Sequence, residues 1–125
     1  QSNEIKNKYY LNTAASLAYK AVSEMKNLTK KLNGKPETAY GLAGLGDLYV
    51  SSAGGRNSKM GYYLGQGHLF KDAKEKFMKD VTVEGADLAF AIGSKILKEF
   101  KKEEFPLLLS VVDSICSNKK LEINW

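Results

Sequence analysis

Glycine placement is what most constrains this chain. Of its 11 glycines, 8 lie between Gly41 and Gly67. A central segment must therefore turn often, while the flanks are free to run as long regular elements. The flanks carry helical periodicity. From Leu11 to Leu32, the apolar residues Ala14, Ala18, Ala21, Val22, Met25, Leu28 and Leu32 recur at intervals of three and four, which predicts one long helix. Asn12 or Thr13 is placed to cap its start. Lys30 and Lys31 suit its C-terminal end, Gly34 is the expected stop, and Pro36 follows just beyond. In the glycine-rich centre, Pro36-Glu37-Thr38 has the pattern of a helix first turn, and Asn57 or Ser58 is placed to cap a helix to about Leu64. Beyond it, Leu69 to Met78 predicts a helix with Leu69, Phe70, Ala73 and Phe77 on one side. Ala86 to Phe100 predicts another, with Leu88, Ala89, Ile92, Ile96, Leu97 and Phe100 inward and Gly93 permitting close packing. Pro106 fits the first position of a helix through Cys116, with Leu108, Leu109, Val112, Ile115 and Cys116 apolar. Lys119 to Trp125 adds a short final turn. With no strand alternation and no internal repeat, the pattern predicts an all-α domain of about six helices.

Composition narrows the function classes. The chain has 125 residues, 43% of them hydrophobic and 26% charged, which suits one domain with a buried core. Its longest apolar run, Phe105 to Val112, falls short of the roughly 18–20 residues that span a bilayer, so no stable membrane insertion is expected. Gln1 to Tyr10 carry no apolar leader segment. Cys116 and His68 are the only cysteine and the only histidine. A disulfide framework and a zinc site cannot be built from them, and they do not make a cysteine–histidine pair of the usual family spacing; no metal site is expected. Cys116 reads as inert core and His68 as an exposed turn residue. The net charge of +5 rests on 18 lysines and a single arginine, Arg56. Base and phosphate readers of nucleic acid rely on the arginine fork. A lysine surface of this kind reads as solvation, and no nucleic-acid partner is expected.

The lone arginine sits in Gly54-Gly55-Arg56-Asn57. Each part of that segment suits an oxyanion. Glycine lets backbone N–H groups approach closely, a helix start offers free donors and positive potential, and a guanidinium binds phosphate oxygens in a fork. The residues alone leave a second reading open, an ordinary loop with a capping asparagine. Asp47, between Gly46 and Leu48, reads either as a functional carboxylate or as a helix cap, and Ser51 shares its helix face one turn on. Glu84 reads as a favourable first-turn carboxylate. The run Gly41-Leu42-Ala43-Gly44-Leu45-Gly46 is no dinucleotide fingerprint. Its order is G-x-x-G-x-G, and no strand precedes it.

Taken in order, Gly41 to Leu48 with Asp47, Gly55-Arg56-Asn57, Tyr63-Leu64-Gly65-Gln66-Gly67 and Val83-Glu84-Gly85 closely resemble the C-terminal domain of NAD(P)-dependent glycerol-3-phosphate dehydrogenases. Asn12, Ala15, Leu17, Lys20, Glu24 and Met25 upstream, and Phe105-Pro106-Leu107 downstream, extend the similarity to roughly residues 11 to 117. The resemblance implies an oxidoreductase of glycerol-3-phosphate metabolism and phospholipid biosynthesis. Such an enzyme interconverts dihydroxyacetone phosphate and glycerol 3-phosphate by hydride transfer with NAD or NADP. It implies an all-α substrate domain like the C-terminal domain of 6-phosphogluconate dehydrogenase, beside an N-terminal Rossmann domain that holds most of the cofactor. It further implies a cytoplasmic enzyme that dimerises when full-length.

Residue by residue, the resemblance makes Asp47 the active-site carboxylate, with Ser51 where the family often has threonine. It gives Arg56 and Asn57 the substrate phosphate, with Arg56 also approaching the cofactor. Gly55 stands where many members have serine, so only its backbone can serve there. Glu84 touches the cofactor, with Thr82 two places before it. The family's acid/base lysine lies in a Leu-Lys-Asn motif well before the long helix. Ile5-Lys6-Asn7 looks similar but stands too close to Asn12 for the intervening helix and loop, so Lys6 is read as a coincidence. Without a Rossmann half, and starting at Gln1, the chain reads as the C-terminal part of a longer enzyme, inactive alone. The other readings are a stand-alone helical anion-binding or interaction module of the same ancestry, and a related dehydrogenase of another phosphorylated or carboxylated substrate.

Overall fold

A computed structural model describes residues 10–124. The described residues form six α-helices and no strand: α1 Leu11–Lys31, α2 Asp47–Ala53, α3 Arg56–Gly65, α4 Phe70–Phe77, α5 Glu84–Glu99 and α6 Pro106–Cys116. A 3-10 turn over Pro36–Tyr40 and a single π-helical turn over Leu42–Gly46 join α1 to α2. None of the helices is long and apolar enough to cross a membrane.

Helix ends follow from local chemistry. α1 stops in a Schellman motif. Asn33 adopts the left-handed conformation (φ 62°), its N–H donates to Lys30 O, and the Gly34 N–H donates to Thr29 O at 2.8 Å. The expected stop at Gly34 is thus displaced by one residue, because asparagine tolerates the left-handed region. Gly67 (φ 94°) ends α3 in the same way, through Gly67 N–H to Leu64 O and His68 N–H to Tyr63 O. That turn carries His68 back over α3. Its ring lies edge-on to Tyr63 and Phe77 and is half-buried, not simply exposed. Asn118 (φ 50°) follows α6, and its Oδ1 accepts the Lys71 N–H in the first turn of α4. Beyond it the chain runs without helix to residue 124. The expected final turn does not form there. Instead the Lys119 carbonyl accepts the Ser114 hydroxyl at 2.8 Å.

Two apolar clusters make the core. Met60, Leu64, Phe70, Ala73, Met78, Val83, Ala86, Ala89 and Ile115 join α3 to α6. Ile96, Phe105, Leu109 and Val112 fill the far end of the α5–α6 pair. α5 turns a small-residue face inward. Ala86, Ala89, Gly93 and Ile96 are buried, while Leu88, Ile92 and Leu97 remain substantially exposed. The cause is how closely α6 approaches. A Cβ at Gly93 would stand 2.5 Å from Cys116 Sγ and 3.1 Å from Val112 Cγ1. The Cys116 thiol donates to Ala89 O at 3.2 Å. Burial first, and Asp113 second, push its pKa up, which keeps it an unreactive thiol.

α1 departs most from its predicted face. It starts directly after Tyr10 with no side-chain cap, so neither Asn12 nor Thr13 serves as one. Ala14, Ala18 and Leu32 are exposed, and only Val22 and Glu24 are buried. α1 meets the rest of the described chain through the Pro36–Tyr40 turn, the π turn and α6. Glu24, 8% exposed, supplies the polar part of that contact. Its Oε2 accepts the Leu107 N–H at 3.1 Å and its Oε1 the Leu108 N–H at 3.0 Å. A carboxylate from α1 thereby caps α6, whose first turn has no side-chain cap of its own. Burial raises the Glu24 pKa, outweighing the two backbone bonds and nearby Lys20, which lower it.

Candidate functional site

The segment between α2 and α3 is two glycines long. Gly54 is fully extended, whereas Gly55 has φ 116° and ψ 174°, a region that side-chain-bearing residues rarely enter. Gly55 can therefore turn the chain sharply into α3. Its carbonyl accepts the Lys59 N–H at 3.0 Å, the first bond of that helix. Arg56 and Asn57 are thus the first two residues of α3, and their side chains leave from a turn whose leading N–H groups lack helical acceptors.

α5 begins where α3 does. Glu84 and Gly85, its first two residues, face Arg56 and Asn57 pairwise. The Arg56 Nη2 forms an ion pair with Glu84 Oε1, both side chains being about half exposed, at 56% and 52%. Asn57 Oδ1 accepts the Gly85 N–H at 3.0 Å. The expectation that Asn57 caps α3 is corrected by this bond. Its amide caps α5, and Gly55 stands at the cap position of α3. Ser58, the other expected cap, donates to Ser52 O at 3.3 Å and ties α3 back to α2.

The structure brings four of the predicted site residues together: Gly55, Arg56, Asn57 and Glu84. It leaves three apart. Asp47 opens α2 and Ser51 follows one turn later, both exposed. Asp47 lines an open depression of about 490 Å³ with Leu42, Ala43, Gly46 and Val50. Thr82 is exposed, two residues before α5. Among the described residues, no hydrogen bond or ion pair links the side chains of Asp47, Ser51 or Thr82 to the Arg56 cluster. Asp47 makes no side-chain cap bond for α2, so the structure does not use it as a cap. Lys6 lies outside the described residues.

Two positions escaped sequence reasoning. Gly85 belongs to the Val83-Glu84-Gly85 motif, which gives no sign that its N–H holds Asn57. Glu24 had a signal: it falls between Ala21 and Leu28 on the apolar face of α1, where a carboxylate needs donors to be tolerated.

Fold and site together define a helical domain that presents a guanidinium and an amide side by side at a glycine-bounded helix start, an arrangement suited to an anionic ligand. The chain belongs to the family described as NAD-dependent glycerol-3-phosphate dehydrogenase C-terminus, which matches residues 5–123. Among curated relatives, the NADP(+)-dependent glycerol-3-phosphate dehydrogenase of Archaeoglobus fulgidus is 38% identical over 101 residues, covering 77% of this chain and 30% of that protein. The glycerol-3-phosphate dehydrogenase [NAD(P)+] of Clostridium acetobutylicum is 35% identical over 109 residues, covering 86% of this chain and 32% of the relative. That of Chlamydia pneumoniae is 43% identical over 82 residues, 64% of this chain and 24% of the relative. The chain spans about a third or less of the length of these relatives. No solved structure matches it.

Proposed function

We propose that this chain is the substrate domain of an enzyme that interconverts dihydroxyacetone phosphate and glycerol 3-phosphate by hydride transfer with NAD or NADP. The observation that carries the reading is the lone arginine beside Asn57 at the start of α3, in a chain of this family. A phosphate dianion needs fixed donors. The planar guanidinium offers several beyond the Nη2 engaged by Glu84, the Asn57 amide adds its own, and Gly55 contributes backbone only. Asp47 and Ser51, on one face of α2, act at the carbon end of the substrate by orienting its hydroxyl and carbonyl groups.

Arg56, Thr82 and Glu84 fit a nicotinamide dinucleotide. Arg56 and Glu84 are paired where α3 and α5 begin, and Thr82 is exposed two residues before α5; a guanidinium suits phosphate oxygens and a carboxylate suits hydroxyl or amide donors. When bound, the cofactor supplies the hydride. On this reading the acid/base lysine lies upstream of this chain, in the Leu-Lys-Asn motif before the long helix, and most of the cofactor site belongs to an N-terminal Rossmann domain. The full-length enzyme is on the same reading a cytoplasmic homodimer with no nucleic-acid partner. The presence of one arginine among 19 basic residues supports the last point.

The test compares the full-length enzyme with this chain alone. Full-length protein should oxidise NADH or NADPH in the presence of dihydroxyacetone phosphate. The chain alone should give a helical far-ultraviolet circular dichroism spectrum and no turnover. Turnover by the chain alone would overturn the division of labour and return Lys6 as the base. No turnover by the full-length protein would overturn the reading itself.

A further inference from the structure

Asparagine can present either end of its amide to a ligand, and only one end suits an anion. The oxygen repels a phosphate oxygen, while the NH₂ group donates to it. In a helix first turn exposed to solvent, nothing in the residue itself fixes the choice. Here a neighbour does. The Gly85 N–H, one of the free donors at the start of α5, donates to Asn57 Oδ1 at 3.0 Å. With the oxygen taken, Nδ2 is left as the free end.

The approach is close. A Cβ at residue 85 would stand 3.1 Å from Asn57 Oδ1, tighter than a side chain ordinarily sits against a neighbour, and at ordinary contact distance from Cγ (3.4 Å) and Nδ2 (3.6 Å). Gly85 has no positive φ, so backbone conformation does not call for glycine there. A side chain there would instead press on the Asn57 amide oxygen, which would have to give by a few tenths of an ångström. The preceding residue acts in parallel, since Glu84 pairs with the Arg56 guanidinium. Two consecutive residues of α5 thus face two consecutive residues of α3.

We propose that Gly85 is a positioning residue for phosphate binding: its N–H fixes the Asn57 amide with the nitrogen outward, and its lack of a side chain lets the amide sit there. The inference rests on the proposed function above. It adds that Asn57 works only in one orientation, set from α5.

The full-length enzyme tests it through two variants. In Asn57→Asp, a carboxylate oxygen still accepts the Gly85 N–H, and a negative charge at a helix N-terminus favours α5. The outward end, however, changes from a donor to an anion. The expected result is an unchanged or higher melting temperature with a KM for dihydroxyacetone phosphate raised about tenfold or more. The rise should be clearly smaller for unphosphorylated dihydroxyacetone. Gly85→Ala keeps the N–H and improves helix propensity, but its Cβ pushes the amide aside. It should hold or raise the melting temperature while raising KM for the phosphorylated substrate by a smaller factor. If Asn57 merely caps α5, Asn57→Asp will leave KM unchanged, and that result overturns the proposal. Equal KM rises on both substrates would also overturn it, because the effect would not pass through phosphate. Failure of the parent enzyme to turn over dihydroxyacetone phosphate would instead sink the function on which the inference rests.

Discussion

Replacing Glu24 with alanine should destabilise the fold through a helix that does not contain it. The side chain accepts the Leu107 and Leu108 N–H groups, at 3.1 and 3.0 Å, from a position on α1 that is almost closed to solvent. Leaving a buried donor without an acceptor costs about 1–3 kcal/mol. Two considerations reduce the total. Removing the carboxylate relieves its desolvation, which is what raises its pKa. The adjacent cavity of about 240 Å³, lined by Ala21, Glu24, Met25, Leu28, Leu107, Leu108 and Val111, also gives water a route to the freed groups. The expected net loss is about 2–3 kcal/mol, or a fall of roughly 1–2 M in the urea midpoint for a domain of this size. Glu24→Gln should lose about half as much, because one oxygen still accepts while its NH₂ group faces the other N–H. The pH dependence has a definite sign. Folded Glu24 holds its proton to higher pH than unfolded Glu24. The folded state therefore binds more protons in that window, and the stability this residue contributes falls as pH rises from the ordinary glutamate range through the raised value. The advantage of wild type over Glu24→Gln should shrink over the same interval. Equilibrium urea unfolding at several pH values measures both effects. A loss below about 0.5 kcal/mol for Glu24→Ala, typical of a surface position, would refute the capping role.

Gly93→Ala should destabilise by about 1–3 kcal/mol, because its Cβ would meet Cys116 Sγ and Val112 Cγ1 where α5 and α6 are closest. Thermal melts should show this, and an unchanged melting temperature would mean that the helices can separate freely. Asp47→Asn in the full-length enzyme should cut kcat more than it raises KM, since a carboxylate that orients the reacting carbon is felt mainly in the transition state. Because Asp47 makes no cap bond, its stability cost should stay within the roughly 0.3–1 kcal/mol of a first-turn charge. Normal turnover with a larger melting-point drop would make Asp47 structural.

What could be read from the sequence was mostly local. Pro106 announced the start of α6, the apolar spacing announced α1, α4 and α5, and Asp47 and Ser51 do share one helix face. What could not be read depends on partners far along the chain. Asn57 looked like a cap for its own helix because the cap residue and the helix were adjacent, yet its acceptor serves Gly85, 28 positions away. The Glu24 bonds span more than 80 positions. The inward face of α5 differs from the expected one for a related reason, although Ala89 and Ile96 are on it. Leu88, Ile92 and Leu97 carry the larger hydrophobic signal, but the close approach of α6 selects the face of Ala89 and Gly93. At the candidate site, the motif gave the residue types, while the pairing of α3 with α5 emerged only in three dimensions.

Arg56→Lys in the full-length enzyme tests the central claim most directly. Lysine keeps the positive charge and can still pair with Glu84, but it lacks the planar fork. Hydrogen bonds to charged groups are worth about 1.5–3 kcal/mol, so losing one from a phosphate clamp should lower kcat/KM for dihydroxyacetone phosphate by about tenfold to a hundredfold. The loss should be much smaller for unphosphorylated dihydroxyacetone, because the fork touches only the phosphate. Equal losses on the two substrates, or no loss on either, would contradict the assignment of Arg56 as the residue that holds the phosphate.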